Sequence, residues 1–273
     1  MRQFTMKPRL FVLAAALVAL VTLTSGCQKL AARDNLNRGV QAFRATKYAD
    51  AVEYFKKAVE LDPEFPTARL YLATAYMSQY IPGADSPENK QYAQSAMEQF
   101  TKVLDKDPKN MLATQSVANI YYQQKDWDKS EEWNRKVVAL DPNNKEAYYI
   151  LGVIPWARFL QVDRQARVDM AMKPEDPGPL KDKKVRAEIK EKWMPKLDAG
   201  IQAEKEALRA DPEYENAMAY MNLLIRYRAD LLDTPAEYKK AVEVADDWVQ
   251  KTLATQKKNA EKKAAAAAGS ATK

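Results

Sequence analysis

Four of the five Asp-Pro pairs in this chain each follow an amphipathic stretch, and the spacing of these four constrains the fold more than any other feature. The pairs lie at residues 62–63, 107–108, 141–142 and 211–212. Because proline disfavours the helical conformation in the residue before it, each pair is expected to end a helix. The four prolines are separated by 45, 34 and 70 residues. This spacing predicts units of about 34 residues, each built from two helices, with two insertions between them.

Small and aromatic residues recur at fixed positions inside these units. The first unit follows the pattern A-x3-F-x2-A-x4-P at Ala51, Phe55, Ala58 and Pro63. Gly39 occupies a small position in the preceding helix, where close crossing of two helices requires little side-chain volume. These motifs resemble the tetratricopeptide repeat over nearly all of residues 32–253. The resemblance implies an all-α helical solenoid of about five helix pairs.

Two insertions, near 79–90 and 156–196, interrupt the period. The first is polar and predicts a loop between the two helices of the second unit. The second contains a cluster of loop-forming residues: Pro174, Pro177, Gly178 and Pro179. An extra degenerate unit ending at residues 176–177 is the alternative, but its pattern of small residues is poor and favours an insertion.

Helices are expected on both sides of this proline-rich loop. The first should kink at Pro155 and continue to about Met172. The second is rich in charged residues, begins near Lys181 and is expected to be interrupted at Pro195.

Basic residues precede an apolar run at the N-terminus, as in a targeting segment. The run covers 14 residues, 10–23, whereas ~20 are needed to span a bilayer as a helix. A retained transmembrane anchor is therefore the weaker interpretation. The only cysteine of the chain, Cys27, follows this segment directly.

Residues 25–27, Ser-Gly-Cys, resemble the lipobox of bacterial lipoprotein signals. The resemblance implies a signal peptide over 1–26, a lipid on Cys27 and a short anchor linker over 27–31. Gln28 after the cysteine implies, by the same resemblance, an outer membrane location facing the periplasm. An ordinary secretory signal with an incidental cysteine is the alternative.

The composition excludes many kinds of catalytic site. The chain has no histidine, one cysteine and seven scattered glycines, so it lacks His-based triads, His-ligated or Cys-based zinc sites and glycine-rich phosphate loops. We expect no enzyme activity, no cofactor and no metal. A carboxylate-based activity is the one enzymatic alternative left.

Charge is concentrated at the two ends of the chain. Residues 1–26 carry three basic residues and no acidic one, and residues 251–273 carry six lysines and one glutamate. Since the whole chain has a formal net charge of +6, residues 27–250 carry a net charge of about −2. No basic face indicates nucleic-acid binding. The lysine- and alanine-rich end, 254–273, is expected to be disordered.

Tetratricopeptide arrays, which these repeats resemble, bind partners with the exposed face of the first helix in each unit. By this resemblance, the candidate groove residues are Phe43, Met77, Asn119, Tyr122, Tyr149 and Trp156. Their apolar and aromatic character is typical of an interface core and implies a protein or peptide partner. The alternative is that the 156–196 insertion covers these side chains, which then belong to the core.

Together these observations predict a membrane-anchored scaffold that binds proteins or peptides in the bacterial cell envelope. The more specific alternative is an accessory subunit of outer-membrane protein assembly or of pilus biogenesis.

Overall fold

Ten α-helices and no strand are found in the part of the chain that the computed structural model describes, which is residues 8–270 for the backbone and 26–265 for the side chains. The helices are α1 (Pro8–Arg44), α2 (Tyr48–Leu61), α3 (Pro66–Met77), α4 (Pro87–Lys106), α5 (Met111–Gln123), α6 (Trp127–Leu140), α7 (Lys145–Asp169), α8 (Lys183–Ala210), α9 (Glu215–Ala229) and α10 (Pro235–Ser270). In sequence order they make five successive pairs. The predicted all-α fold of about five helix pairs is confirmed.

The chain divides into two compact units, Met1–Gln124 and Lys125–Lys273. Unit 1 contains α1–α5, and unit 2 contains α6–α10. Within each unit, helices that follow one another in sequence pack against each other, and in unit 2 α7 also packs against α9. This last contact brings together the first helices of two successive pairs.

The Asp-Pro pairs end helices as the sequence predicts. Asp62, Asp107, Asp141 and Asp211 are the C-terminal caps of α2, α4, α6 and α8. The backbone N–H of each aspartate bonds to the carbonyl four residues earlier, and the proline after it cannot continue the ladder. Asn110 and Asn144 then cap the N-termini of α5 and α7, because each side-chain oxygen accepts a bond from a backbone N–H.

Phe55 organises the core of unit 1. Its ring is fully buried among residues of α1, α2 and α3, and Tyr71 stacks on it with ring centroids 5.4 Å apart. A Cβ atom on Gly39 would lie only 2.4 Å from this ring, so glycine is needed where α1 crosses α2. The Phe55 position of the repeat motif is therefore a core position of unit 1.

The first predicted loop lies between α3 and α4. Ser86 caps α4, and the amide of Asn89 closes the loop from inside. That side chain accepts from the N–H of Ile81 at 2.7 Å and donates to the carbonyls of Ile81 and Ala84 at 2.8 Å each. The loop is thus held by one buried asparagine.

The second insertion does not form a separate segment. Its first residues belong to α7, which ends at Asp169, and its last residues belong to α8, which begins at Lys183. Residues 170–182 form the loop between these two helices. The interruption expected at Pro195 is wrong, because α8 runs through this residue. Trp193 and Leu197 on either side of Pro195 are buried in the core cluster of unit 2, and this packing outweighs the hydrogen bond that proline removes.

The C-terminal end also differs from expectation. Helix α10 extends to Ser270, so residues 254–270 are helical and not disordered. Lys258 and Lys262 both form ion pairs with Glu213, and Asn259 donates to Glu215 at 2.6 Å. The sequence-based argument failed because these carboxylates lie some 45 residues earlier in the chain. Residues 271–273 lie outside the described residues.

At the N-terminus, α1 begins at Pro8 and includes the predicted linker 27–31, which is therefore helical. Cys27 is exposed and forms no disulfide. The side chains of residues 1–25, on which the prediction of a signal peptide depends, lie outside the described residues. Where the structure is described, no helix has an apolar stretch long enough to cross a membrane.

Candidate functional site

The six residues predicted to line a groove are all half-buried and all lie on the first helix of a pair. Unit 1 holds four of them, on α1, α3 and α5: Phe43, Met77, Asn119 and Tyr122. Unit 2 holds the other two, Tyr149 and Trp156, on α7.

In unit 1, Phe43 belongs partly to the core. It packs against the cluster around Phe55 and meets Tyr48 edge-on, with ring centroids 5.2 Å apart. Met77 is the last residue of α3. Asn119 and Tyr122 lie on α5 and do not belong to the cluster that contains Phe43.

In unit 2, the structure brings the two predicted residues together through a tyrosine of α9. Tyr220 lies between them, with ring centroids 5.3 Å from Tyr149 and 5.1 Å from Trp156, both edge-on. Tyr214 extends this arrangement beyond Tyr149 at 5.8 Å, and Tyr227 extends it beyond Trp156 at 6.3 Å. We call these five side chains the aromatic row.

The three tyrosines of the row from the α9 region, Tyr214, Tyr220 and Tyr227, were missed by the sequence argument. The sequence nevertheless contains a signal for two of these tyrosines. Tyr220 and Tyr227 are seven residues apart, as are Tyr149 and Trp156, and this spacing returns to the same face of a helix after two turns. Two such pairs on facing helices predict one continuous aromatic surface.

The row combines exposed and buried surface. Every member is half-buried, and burial raises the pKa of the Tyr214, Tyr220 and Tyr227 hydroxyls, so they stay neutral at physiological pH. Trp156 also packs against the core cluster, to which the loop 170–182 contributes Met172 and Leu180. Its indole Nε1 is buried and has no hydrogen-bond partner among the described residues. Trp156 therefore serves the core as well as the row.

A buried acid of α8 lies close to the row. Glu204 is fully buried, and neither of its carboxyl oxygens has a hydrogen-bond partner among the described residues. It fits against α7 because residue 152 is glycine, where a Cβ atom would lie 2.2 Å from Glu204 Oε1. Burial raises the pKa of Glu204 to about 10, so the side chain is an uncharged acid at neutral pH.

A cleft of about 700 Å³ lies at the C-terminal ends of α7 and α9, beside the start of α10. Its floor is an ion network. Arg167 donates from Nε to Asp163 Oδ2 at 3.0 Å and from Nη2 to Asp230 Oδ2 at 2.8 Å. Its Nη1 donates to the carbonyl of Asp176 at 3.0 Å, and the N–H of Leu180 donates to the carbonyl of Asp230 at 3.0 Å. The network therefore ties the loop 170–182 to α7 and α9.

Family models for the tetratricopeptide repeat match residues 42–79 and 91–145. These two segments are tetratricopeptide repeats, and the helices of the chain have the fold of a tetratricopeptide solenoid. The matched segments include Phe55 and the ends of α2, α4 and α6. Among curated proteins, none shows a significant match to this chain.

Solved tetratricopeptide structures share the fold. MamA from Desulfovibrio magneticus RS-1 is 17% identical, with 83% of this chain and 96% of that chain covered and a TM-score of 0.56. A second MamA crystal structure is 16% identical, with 85% and 94% covered and a TM-score of 0.55. YrrB, a tetratricopeptide protein with an unusual peptide-binding site, is 15% identical, with 82% and 90% covered and a TM-score of 0.50. At these identities the likeness shows the fold alone.

The chemistry that this tetratricopeptide protein offers is that of a binding surface. Aromatic rings in edge-to-face contact present apolar area with little side-chain entropy to lose, which suits recognition of another chain. Within residues whose side chains are described, no group of three or more acidic or cysteine residues could hold a metal ion. The fold is that of a protein-interaction scaffold.

Proposed function

We propose that this protein is a lipid-anchored tetratricopeptide scaffold of the bacterial cell envelope, which binds a protein or peptide partner through the aromatic row. The observation that carries the proposal is the row itself, because four half-buried aromatic side chains on α7 and α9, the first helices of two successive pairs, and the half-buried cap residue Tyr214 form one surface. Aromatic residues are enriched at the centre of protein interfaces and account for much of their binding energy.

A peptide-binding role agrees with what is described for one of the similar structures, because YrrB has an unusual peptide-binding site. A peptide on the row would pack its apolar side chains against ring edges. The neutral tyrosine hydroxyls would add hydrogen bonds to its backbone or polar groups.

The anchor is the second part of the proposal. Cys27 is exposed at the surface of α1 and follows the Ser-Gly pair expected of a lipobox. Each methylene of an acyl chain that enters the membrane contributes ~0.8 kcal/mol, so two or more chains on this cysteine hold the protein stably. Gln28 in the next position supports the outer membrane, with the repeats facing the periplasm.

The anchor is tested by Cys27→Ser. We expect the variant to leave the detergent-extracted membrane fraction and to lose the acyl mass that intact mass spectrometry finds on the mature wild type. Ser25→Ala keeps a small residue before the cysteine and should be processed like the wild type. A wild-type protein without any acyl mass would refute the anchor.

The row is tested by purifying the protein from solubilised membranes, identifying bound proteins by mass spectrometry and measuring the affinity of the strongest one. Tyr149→Ala should weaken that affinity by about 1–3 kcal/mol. Tyr148→Ala changes the neighbouring tyrosine of α7, which lies outside the row, and should bind as the wild type does. Equal affinity of both variants would show that the row is not the contact surface.

A further inference from the structure

A groove in unit 2 lies between α6 and α8, the second helices of two successive pairs. Both helices pack against α7, but within the part of the chain that is described they share no extensive contact with each other. The floor of the groove is therefore α7, and its two walls are α6 and α8. Its volume is about 420 Å³, and none of the described residues that line it belongs to the aromatic row.

The dimensions of this groove match those of one α-helix. Its lining residues run from Tyr148 to Arg158 on α7 and from Trp193 to Glu206 on α8. At a rise of about 1.5 Å per residue, these stretches are about 15 and 20 Å long. Helices in contact have axes about 8–10 Å apart, so α6 and α8 leave a gap about one helix wide over α7. A helix of about four turns therefore fits between the walls.

The surface inside the groove is apolar and accessible. Leu151 and Pro155 of α7 and Val138 of α6 line it and are half-buried, so a ligand can reach part of each side chain. Ala199 and Ala203 line it from α8, and Ala199 is exposed. Their small side chains let the backbone of a ligand come close to this wall. An amphipathic helix buries its apolar stripe in a groove of this kind.

The charged side chains around the groove leave one cation without a carboxylate partner. Three basic and two acidic residues line the groove. Four of these five form ion pairs: Glu131 with Arg135, Arg158 with Asp128, and Glu206 with Arg209. Lys196 is exposed and forms no ion pair with any described residue, and its ammonium lies 4.7 Å from the centroid of the Trp193 ring. The groove is therefore complementary to a negative charge beside Lys196.

We propose that this groove binds an amphipathic helix of another protein, which lays its apolar stripe on α7 and places an acidic side chain beside Lys196. This ligand is separate from the partner proposed for the aromatic row. An extended peptide fits less well, because the helical walls offer no strand edge with which its backbone could pair. A basic side chain in the same position would be repelled by the ammonium.

The test uses two fluorescent, stapled helical peptides of about four turns. Both carry a stripe of leucines at helical spacing. The acidic probe has glutamates on both sides of the stripe, and the basic probe has lysines at the same positions. Fluorescence anisotropy with the detergent-solubilised full chain, with protein-free micelles as the baseline, gives each dissociation constant. We expect the acidic probe to bind about fivefold more tightly than the basic probe at low salt, and the difference to shrink as salt is added.

Two variants separate the apolar and the charged parts of the groove. Ala199→Trp adds bulk at an exposed position inside the groove and should weaken binding of both probes about tenfold or more. Ala187→Trp, at an exposed alanine of α8 outside the groove, is its matched control. Lys196→Gln should remove the preference for the acidic probe, whereas Lys192→Gln, an exposed lysine of the same helix outside the groove, should keep it.

No binding of either probe, equal affinity for both probes, or equal affinity of the wild type and Ala199→Trp for the acidic probe would overturn the proposal. A preference for the acidic probe that survives Lys196→Gln would overturn it as well.

These results do not bear on the aromatic row, because the probes need no native partner. A native partner gives a further distinction, since Tyr148 lines the groove and Tyr149 belongs to the row. A partner whose affinity falls with Tyr148→Ala but not with Tyr149→Ala would occupy the groove and not the row. Failure of the groove and failure of the proposed scaffold function are therefore distinguishable.

Discussion

Replacing Glu204 with glutamine is expected to stabilise unit 2 at neutral pH. Glu204 lies on α8, fully buried against Gly152 of α7, and neither carboxyl oxygen has a hydrogen-bond partner among the described residues. The titratable groups of α9 that sense it are the tyrosines Tyr214 and Tyr220, which are themselves neutral. Glutamine has the same shape and leaves a similar buried polar group, but it cannot ionise.

The size of the effect follows from the pKa of Glu204. The unfolded chain releases this proton near the ordinary pKa of 4.5, and the folded chain near 10. Between these values the native state binds one more proton than the unfolded state, so the free energy of unfolding falls by about 1.36 kcal/mol for each unit of rising pH. At pH 7 the cost is about 3 kcal/mol, and at pH 5 it is below about 1 kcal/mol. Glu204→Gln should remove this cost.

Tryptophan fluorescence during urea unfolding measures this effect selectively, because all five tryptophans of the chain lie in unit 2. We expect Glu204→Gln to be more stable than the wild type by about 2–3 kcal/mol at pH 7, with the difference shrinking toward pH 5 and growing toward pH 9. Glu191→Gln changes an exposed glutamate of the same helix and should show no such trend. A difference between Glu204→Gln and wild type that is constant from pH 5 to pH 9 would refute a neutral buried acid.

Three further predictions follow from other elements. Phe55→Ala should lower the free energy of unfolding by about 3–5 kcal/mol in circular-dichroism melts with urea, whereas Leu112→Ala, at a side chain 49% exposed, should change it by about 0.5 kcal/mol or less. A loss below about 1 kcal/mol for Phe55→Ala would contradict its packing role. Tyr122→Ala should weaken partner binding by about 1–3 kcal/mol and leave the melt intact, while a lower melt with unchanged binding would place this residue in the core. Glu213→Gln removes the negative charge that forms ion pairs with two lysines of α10, and should speed amide hydrogen exchange in the last third of this helix. The control variant Glu261→Gln should leave that exchange unchanged. Unchanged exchange in Glu213→Gln would show that these ion pairs do not hold the helix end.

Local rules of the chain determined much of the fold. Proline disfavours the helical conformation in the residue before it, and all four helix ends predicted at the Asp-Pro pairs are found. The repeat motif singled out Phe55, which is fully buried, and the small residue Gly39 marked where α1 crosses α2. Repeated at about 34 residues, these signals were sufficient to predict an all-α fold of about five helix pairs.

Other features depended on residues far apart in sequence and were decided only by tertiary packing. The burial of Trp193 and Leu197 keeps α8 helical at Pro195. Ion pairs with a carboxylate near the start of α9 stabilise the end of α10, in the segment expected to be disordered. The aromatic row exists because α7 packs against α9, although its seven-residue spacings are visible in the sequence. The buried ion network of Asp163, Arg167 and Asp230 leaves no sequence signal at all, since desolvation of a carboxylate is set by the elements that enclose it and not by its neighbours along the chain.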